Sequence, residues 1–364
     1  MKITFPYMGY YAPVFTNLFR KLGNEVVAPP RPSKRTLDLG TKHAPEFACL
    51  PLKILLGTYI EALEMGADTI VSTGGVGPCR AGYYTRLQEK ILRSLGYDFR
   101  MFTIEPIKGH LMDIVRTIRS FVNVPVTKLY DALTTTWLKL AYIDQFERVC
   151  HHRRPVEINR GSSTRLLEEG VAAIDKAQNC KEIREVGRAY VDMLGKVEID
   201  ETKNPLKVGI IGEIYVVLEP AVNFEVIENL NKMGVYAHRS IFLTDWTREN
   251  AFLDALRIQP EKQIRAQARP YLNQPVGGHG ENSVGETVRY AKSGYDGVIQ
   301  LAPFTCIPEI VAKSILPKVS RDLGIPVLTL TLDEQTGLEG VMTRLEAFVD
   351  LLMRRRLRAG EASA

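Results

Sequence analysis

The first third of the chain shows short apolar runs that alternate with amphipathic segments. An apolar run at residues 2–5 predicts a strand, and apolar residues at helical spacing predict a helix over residues 51–66. Such alternation predicts a mostly parallel sheet with helices on both faces. The other elements predicted here are a helix that stops at Gly23, strands at 25–28, 69–72 and 99–104, a helix over 84–95, and a polar connection at 29–45.

The pattern changes twice further along the chain. Residues 108–205 show long helical patterns and no convincing strand, whereas residues 206–364 return to strand and helix alternation. We therefore predict an α/β fold of two doubly wound parallel-sheet domains, residues 1–107 and 206–364, joined by a helical insert or bridge at 108–205. The elements predicted in the last segment are strands at 207–212, 236–243, 296–302 and 327–331, helices at 223–233 and 338–353, and a helix that begins at a capping box of Ser283 and Glu286.

Cys306 lies where an apolar strand runs into a helix. Pro303 ends the predicted strand, and Pro308 suits the first helical turn, where its missing N–H would be unsatisfied anyway. Glu309 favours the positive end of the helix dipole. Corners of this kind bind ligands in open parallel sheets, and a helix N-terminus lowers the pKa of a nearby thiol. A thiolate is therefore favourable at Cys306.

Two other cysteines have the same local arrangement. Cys49 repeats the Cys-x-Pro spacing of Cys306 before a helix, and Cys79 follows a strand and a glycine-rich turn at residues 74–78. Three cysteines at the mouths of three helices predict three ligands that converge on one site, in a cleft between the two predicted domains. The alternative interpretation is that they are buried structural cysteines, which is a common role for a single free cysteine.

The spacing of the three cysteines favours an iron–sulfur cluster over zinc. Structural zinc usually has four closed ligands, often with Cys-x2-Cys pairs, which this chain lacks. A 4Fe-4S cluster accepts ligands from distant loops, and three thiolates would leave one iron open to water or substrate. The Cys150-His-His152 sequence is a weaker metal candidate, because adjacent histidines on a helix face different directions.

Two other function classes are weighed against this interpretation. The glycine-rich turn Gly74-Gly-Val-Gly77 only partly matches a dinucleotide loop, because Arg80 stands where the third glycine is expected. The sequence contains no Walker-type phosphate loop, so we predict that this chain does not itself hydrolyse ATP. A cysteine-nucleophile enzyme is also considered, with Cys79 beside His110 or His279, but it leaves the other two cysteine corners unexplained.

Composition indicates where the protein is expected to act, but it does not identify the chemistry of a site. The chain has 364 residues, a net charge of +5 and five cysteines, and no apolar run of about 18 residues that would predict a membrane span. The start of the sequence lacks the regions of a signal peptide, so we expect a cytoplasmic protein without a disulfide framework. The basic run at 354–358 is interpreted as the solvated end of a helix. It could also steer an acidic partner or a CoA-type anion. Nucleic-acid binding is a poor alternative, because no aromatic or arginine-rich reading module accompanies the run.

Three segments resemble the signature segments of the 2-hydroxyacyl-CoA dehydratase D-component family, and most closely its branch of CoA protein activase or acyl-CoA dehydratase activase-related proteins. They are Pro45-Glu-Phe-Ala-Cys-Leu-Pro-Leu-Lys53, Gly74-Gly-Val-Gly-Pro-Cys-Arg-Ala-Gly-Tyr83 and Pro303-Phe-Thr-Cys-Ile-Pro-Glu309. The segment Thr343-Arg-Leu-Glu-Ala-Phe348 is similar to the family's C-terminal helix, so the resemblance covers nearly the whole chain.

The resemblance implies two flavodoxin-like domains with an iron–sulfur cluster between them. By motif position, Cys49, Cys79 and Cys306 would be the ligands of a 4Fe-4S cluster. A double-cubane cluster is the less favoured alternative, because only three cysteines match. Electrons would arrive one at a time from a separate homodimeric ATPase of the actin and sugar-kinase type.

The resemblance also implies a CoA-type substrate, which the cluster would dehydrate or reduce, in a homo- or heterodimer. A non-catalytic cluster scaffold or electron relay is the alternative. The residues expected around the cluster or in the pocket are Glu46, Lys53, Arg80, Glu309 and Gln335, each of which could equally be a solvated surface residue. We expect neither nucleic-acid nor membrane binding.

Overall fold

The computed structural model describes residues 1–74, 79–104, 116, 118–120, 122–248 and 261–361. By their mutual contacts these residues fall into two compact units. Apart from the gaps just given, the first unit contains residues 1–145, 169–190 and 243–248. The second unit contains residues 146–168, 191–242 and 261–361.

Each unit contains a four-stranded parallel sheet, and the two sheets have the same strand order. The order is β2-β1-β3-β4 in the first unit and β6-β5-β7-β8 in the second. The prediction of two doubly wound, flavodoxin-like α/β domains is confirmed. The strands are β1 (Lys2–Thr4), β2 (Glu25–Val26), β3 (Thr69–Thr73), β4 (Arg100–Ile104), β5 (Leu206–Gly212), β6 (Val235–Arg239), β7 (Gly297–Pro303) and β8 (Val327–Leu332).

Helices alternate with strands in both sheets of the described ranges, and three successive helices lie between β4 and β5 in the sequence. None of the described helices is long and apolar enough to cross a membrane. They are α1 (Ala12–Lys21), α2 (Lys34–His43), α3 (Leu50–Glu64), α4 (Tyr84–Ser94), α5 (Val126–Arg153), α6 (Ser162–Lys176), α7 (Cys180–Gly195), α8 (Ile214–Leu218), α9 (Pro220–Asn223), α10 (Val226–Lys232), α11 (Leu243–Thr247), α12 (Glu261–Ala268), α13 (Gly280–Lys292), α14 (Ile307–Leu323) and α15 (Leu338–Glu361).

Successive residues of β3 face opposite sides of the first sheet, and each side has its own core. Val71 packs with Ile3 and Phe19 in one buried cluster, whereas Ile70 packs with Tyr59 of α3 in the other. Because both faces are covered, the first four residues of β3 are all buried, rather than alternate ones. The first sheet is thereby packed between helices on both of its faces.

Helix α2 lies in the segment that was predicted to be a polar connection, so that prediction is wrong. The side chain of Ser33 accepts a hydrogen bond from the backbone N–H of Thr36 and caps the helix. The backbone of α2 lies so close to that of α3 that a Cβ atom at Gly40 would fall 1.8 Å from the carbonyl oxygen of Lys53. Glycine is required at this crossing because any side chain would displace the backbone.

The second unit departs from prediction at the start of α13. The helix begins at Gly280 with His279 as its N-cap, so the predicted capping box at Ser283 is wrong. Ser283 lies in the second turn, where its hydroxyl donates to the buried carboxylate of Glu309. A serine and a glutamate at capping-box spacing therefore occur here inside a helix.

The basic run near the end of α15 is only partly solvated. Arg356 donates two hydrogen bonds to the carboxylate of Asp296, and two more to the carbonyl oxygens of Asn204 and Pro205. Arg355 donates to the carbonyl oxygen of Gly324. These arginines hold α15 against the turns that lead into the amino ends of β5, β7 and β8.

Candidate functional site

Cys49 is the N-cap of α3 in the first unit. Its backbone is extended, with φ −71° and ψ 155°, and Pro51 stands in the first helical turn. The thiol makes no capping hydrogen bond to the helix, and the side chain is only 5% exposed. Its sulfur instead contacts the phenolic oxygen of Tyr84 at the start of α4. The predicted cysteine-to-helix corner is present at Cys49.

Cys79 is the N-cap of a short 3-10 turn, Arg80–Tyr83, that leads into α4. It lies in the same unit as Cys49, and the two cysteine segments are held together by side chains near Cys79. The guanidinium of Arg80 donates to the carbonyl oxygen of Phe47 at 2.9 Å. With the contact between Tyr84 and Cys49, this places the chain around Cys79 against the chain around Cys49.

Cys306 is the N-cap of α14 in the second unit, and it is also 5% exposed. Its thiol makes no capping hydrogen bond, and Pro308 stands in the first turn of the helix as it does after Cys49. Thr305 precedes it with a positive φ of 63°, which is an uncommon conformation for a β-branched residue. The chain therefore turns sharply between β7 and Cys306.

The shared strand order gives Cys79 and Cys306 equivalent places. Each follows the third strand of its sheet, β3 or β7, at the switch point where open α/β sheets bind ligands. The helix before that strand is capped by Cys49 in the first unit and by His279 in the second. His279 was considered from sequence only as a base beside Cys79, and the equivalence with Cys49 appears only once the strand orders are compared.

Glu309 belongs to a buried polar network beside Cys306. Its carboxylate accepts hydrogen bonds from Ser283 Oγ at 3.1 Å and from Gln300 Nε2 at 2.8 Å, and the residue is fully buried. Gln300 in turn accepts a hydrogen bond from Thr329 Oγ1 on the neighbouring strand. Burial, reinforced by the charge of Glu213, raises the pKa of Glu309 to about 7, against these hydrogen bonds. At pH 7 and below, the Glu309 carboxyl is therefore neutral in half or more of the molecules.

Glu213 provides a second acid at the same edge of the second sheet. It follows β5 directly, and its carboxylate caps α8 by accepting from the backbone N–H of Val216 at 3.0 Å. Burial raises its pKa to about 7 as well. The charge of Glu213 adds to the effect of burial in raising the pKa of Glu309.

The remaining two cysteines have different surroundings. Cys150 is fully buried in α5, and burial raises the pKa of its thiol to about 12. Cys180 is the first residue of α7 and is half-buried. His151 is buried, which holds its pKa well below the usual value, while the ring of His152 packs on Tyr236 with centroids 4.4 Å apart. Cys150 therefore remains a neutral thiol in the core.

The other residues expected near a site differ in exposure. Lys53 is buried in α3, while Glu46 and Arg80 are exposed, and Gln335 lies exposed in the turn after β8. The glycine-rich turn beyond Gly74, and His110, lie outside the described residues. Within the described ranges, no group of three or more His, Cys, Asp and Glu side chains is arranged to hold a metal ion.

Large apolar side chains are exposed beside the cysteine corners of each unit. Phe47 and Tyr83 flank Cys49 and Cys79, and each is 68% exposed. Phe304 and Ile307, on either side of Cys306, are each 46% exposed. Cys49 and Cys306 are therefore buried next to exposed apolar side chains, whereas Cys79 is half-buried.

Comparison with known families gives one match. Residues 5–72 match the model of the CoA enzyme activase uncharacterised domain, a stretch that runs from the end of β1 into β3 and includes Cys49. A search of the curated proteins found no match. The match supports the activase-related part of the predicted resemblance, and the D-component branch stays a prediction. Residues 5–72 are thus similar to a CoA enzyme activase-related domain.

Proposed function

We propose that this protein is an iron–sulfur protein related to the 2-hydroxyacyl-CoA dehydratases, in which Cys49, Cys79 and Cys306 hold a 4Fe-4S cluster. Its function would be ATP-dependent, low-potential electron transfer that dehydrates or reduces a CoA-type substrate. The observation that carries this proposal is the shared environment of the three cysteines. Each is the N-cap of a helix or 3-10 turn and forms no disulfide, and none of the three thiols caps its helix.

The donor chemistry of these three residues fits such a cluster. Iron–sulfur clusters are bound through thiolates, and the positive end of a helix stabilises a thiolate. Cys150 does not fit, because its pKa of about 12 keeps the thiol protonated. When bound, the cluster would supply one-electron chemistry at low potential. The chain's own contribution would be to shelter the thiols from water and to offer backbone N–H groups to the sulfurs.

The ATP requirement would be met by a separate protein. The sequence has no Walker-type phosphate loop, and the activase-related domain fits a system in which an ATP-dependent reductase of the actin and sugar-kinase type supplies the electron. Lys53 and Arg80 are the two basic residues expected around the cluster or in the pocket, and either charge could attract CoA phosphates. Lys53 is only 2% exposed, so Arg80 is the one whose side chain faces solvent. Arg80 is the residue to substitute in a test of CoA binding.

The test is anaerobic purification followed by iron and sulfide determination and EPR spectroscopy. We expect about four irons and four sulfides per chain. Substituting Cys49, Cys79 or Cys306 with alanine should remove most of the iron. Cys180→Ala, at the start of another helix, and Cys150→Ala are the controls and should keep it. Stoichiometric zinc without iron, or equal iron loss in all five variants, would refute the proposal.

An electron relay is distinguished from an enzyme by its response to substrate. Adding a panel of 2-hydroxyacyl-CoA thioesters to the reduced protein should shift the EPR signal if an open iron binds the substrate. Product should then form when the ATP-dependent reductase is supplied. An unchanged signal and no product, with electrons still passed to an added acceptor, would favour the relay.

A further inference from the structure

Three side chains, one in the 3-10 turn before α4 and two in α4 itself, form a stripe along the segment that contains Cys49. Arg80, Tyr84 and Gln88 are spaced four residues apart, so on a helix they lie on one face. Their contacts fall on successive points of the other segment, at Phe47, Cys49 and Leu52 respectively. Three contacts, rather than one, therefore fix how residues 80–88 run along residues 47–52.

The middle contact differs from the other two because it reaches a cysteine sulfur. The outer two go to backbone carbonyl oxygens, at 2.9 Å for Arg80 and 3.4 Å for Gln88, and join residues that are 33 and 36 positions apart in sequence. Tyr84 instead places its hydroxyl on the sulfur of Cys49. Because this thiol does not cap α3, its direction is not set by its own helix. The phenol is thus positioned to set where the sulfur points.

We propose that Tyr84 is a positioning residue for Cys49, whose phenolic O–H donates a hydrogen bond to the cysteine sulfur. The bond would hold the Cys49 sulfur in one direction, as an outer hydrogen bond orients a metal ligand. Hydrogen bonds to ligand sulfurs also raise the reduction potential of a cluster. The consequence for a cluster rests on the proposed function, whereas the bond itself does not.

Tyr83 supplies a matched control. It is the preceding residue and the same type of side chain, but it is 68% exposed. Tyr83→Phe and Tyr84→Phe each remove one hydroxyl and keep the ring, so a difference between the two variants reports the position of the hydroxyl. Thermal unfolding of both variants should resemble that of the unsubstituted protein if the rings preserve the packing.

The first experiment uses metal-free protein, so it does not depend on the proposed function. Carbon-13 NMR of protein labelled at the ring carbon that bears the tyrosine hydroxyl is compared before and after Cys49→Ala. We expect the Tyr84 signal to move and the Tyr83 signal to stay. This measurement leaves Tyr84 itself unchanged, so it decides the proposal even if Tyr84→Phe folds poorly. A Tyr84 signal that does not respond to Cys49→Ala would overturn it.

The second experiment uses protein carrying the cluster. We expect Tyr84→Phe to lose iron to a chelator about tenfold faster, as is typical when an outer partner of a metal ligand is removed. Its reduction potential should also fall, and Tyr83→Phe should match the unsubstituted protein in both measurements. Unchanged iron loss and potential in Tyr84→Phe would overturn the role at the cluster. Absence of any cluster from all the proteins would instead refute the proposed function, and the NMR result would still decide the hydrogen bond.

Discussion

Replacing Glu309 with glutamine should remove much of the pH dependence of the second unit's stability. The side chain is fully buried and accepts hydrogen bonds from Ser283 and Gln300. Burial raises its pKa from the usual 4.5 to about 7, so the folded protein holds a proton that the unfolded chain releases. The stability gained from this proton is fully present below about pH 4.5 and is lost as the pH rises through about 7.

The magnitude follows from the size of the shift. A difference of about 2.5 pH units at about 1.4 kcal/mol per unit is worth about 3 kcal/mol in the free energy of unfolding. Because Glu309 is fully buried, solvent screening reduces this value little. Glu213 is shifted in the same direction, so some pH dependence will remain in the variant.

Urea unfolding at about pH 5 and about pH 8 measures the effect. Between these two values we expect the unsubstituted protein to lose about 3 kcal/mol more stability than Glu309→Gln. Glu346→Gln, which alters an exposed carboxylate on α15, is the control and should behave like the unsubstituted protein. If Glu309→Gln shows the same loss between the two pH values, the carboxyl is not held neutral by burial.

Three further outcomes test the packing and electrostatics of the fold. Burial and nearby arginines lower the pKa of His238 to about 4, so stability should fall as the pH drops from about 6.5 through 4, and urea unfolding of His238→Gln should show a smaller loss. Gly40→Ala should cost about 3 kcal/mol or more in thermal or urea unfolding, because its Cβ would overlap the backbone of α3, whereas Gly195→Ala, with open space around it, should be nearly neutral. Arg356→Ala should cost about 2 kcal/mol through its lost hydrogen bonds, and Arg354→Ala, which loses one surface ion pair, should change the unfolding free energy by less than about 0.5 kcal/mol.

Much of the fold could be predicted because strands and helices here differ in periodicity. Segments without a strong apolar stripe were harder. Helix α2 was missed because its sequence is polar, and what holds it in place is the close crossing of its backbone with that of α3 at Gly40. The start of α13 was misplaced because a serine with a glutamate three residues on is a capping signal only when the helix begins there, and Ser283 is instead used to satisfy Glu309.

Some features of the candidate site could likewise be predicted from local sequence signals, and others could not. The N-cap positions of Cys49 and Cys306 could be predicted from a proline two residues on, because that signal is local. The contact between Tyr84 and Cys49 could not, since it depends on how two helices dock. The sequence places Glu309 near a helix start, but its complete burial beside β7 and α13 depends on how these elements pack.

The division of the chain into two interleaved units affects how the protein can be made. The first unit takes residues 1–145, 169–190 and 243–248, so its last described residues are synthesised only after most of residues 146–242. A ribosome that has translated the first 145 residues has therefore not yet supplied everything that this unit contains. No single truncation point yields either unit intact, so each would have to be produced by rejoining segments rather than by shortening the gene.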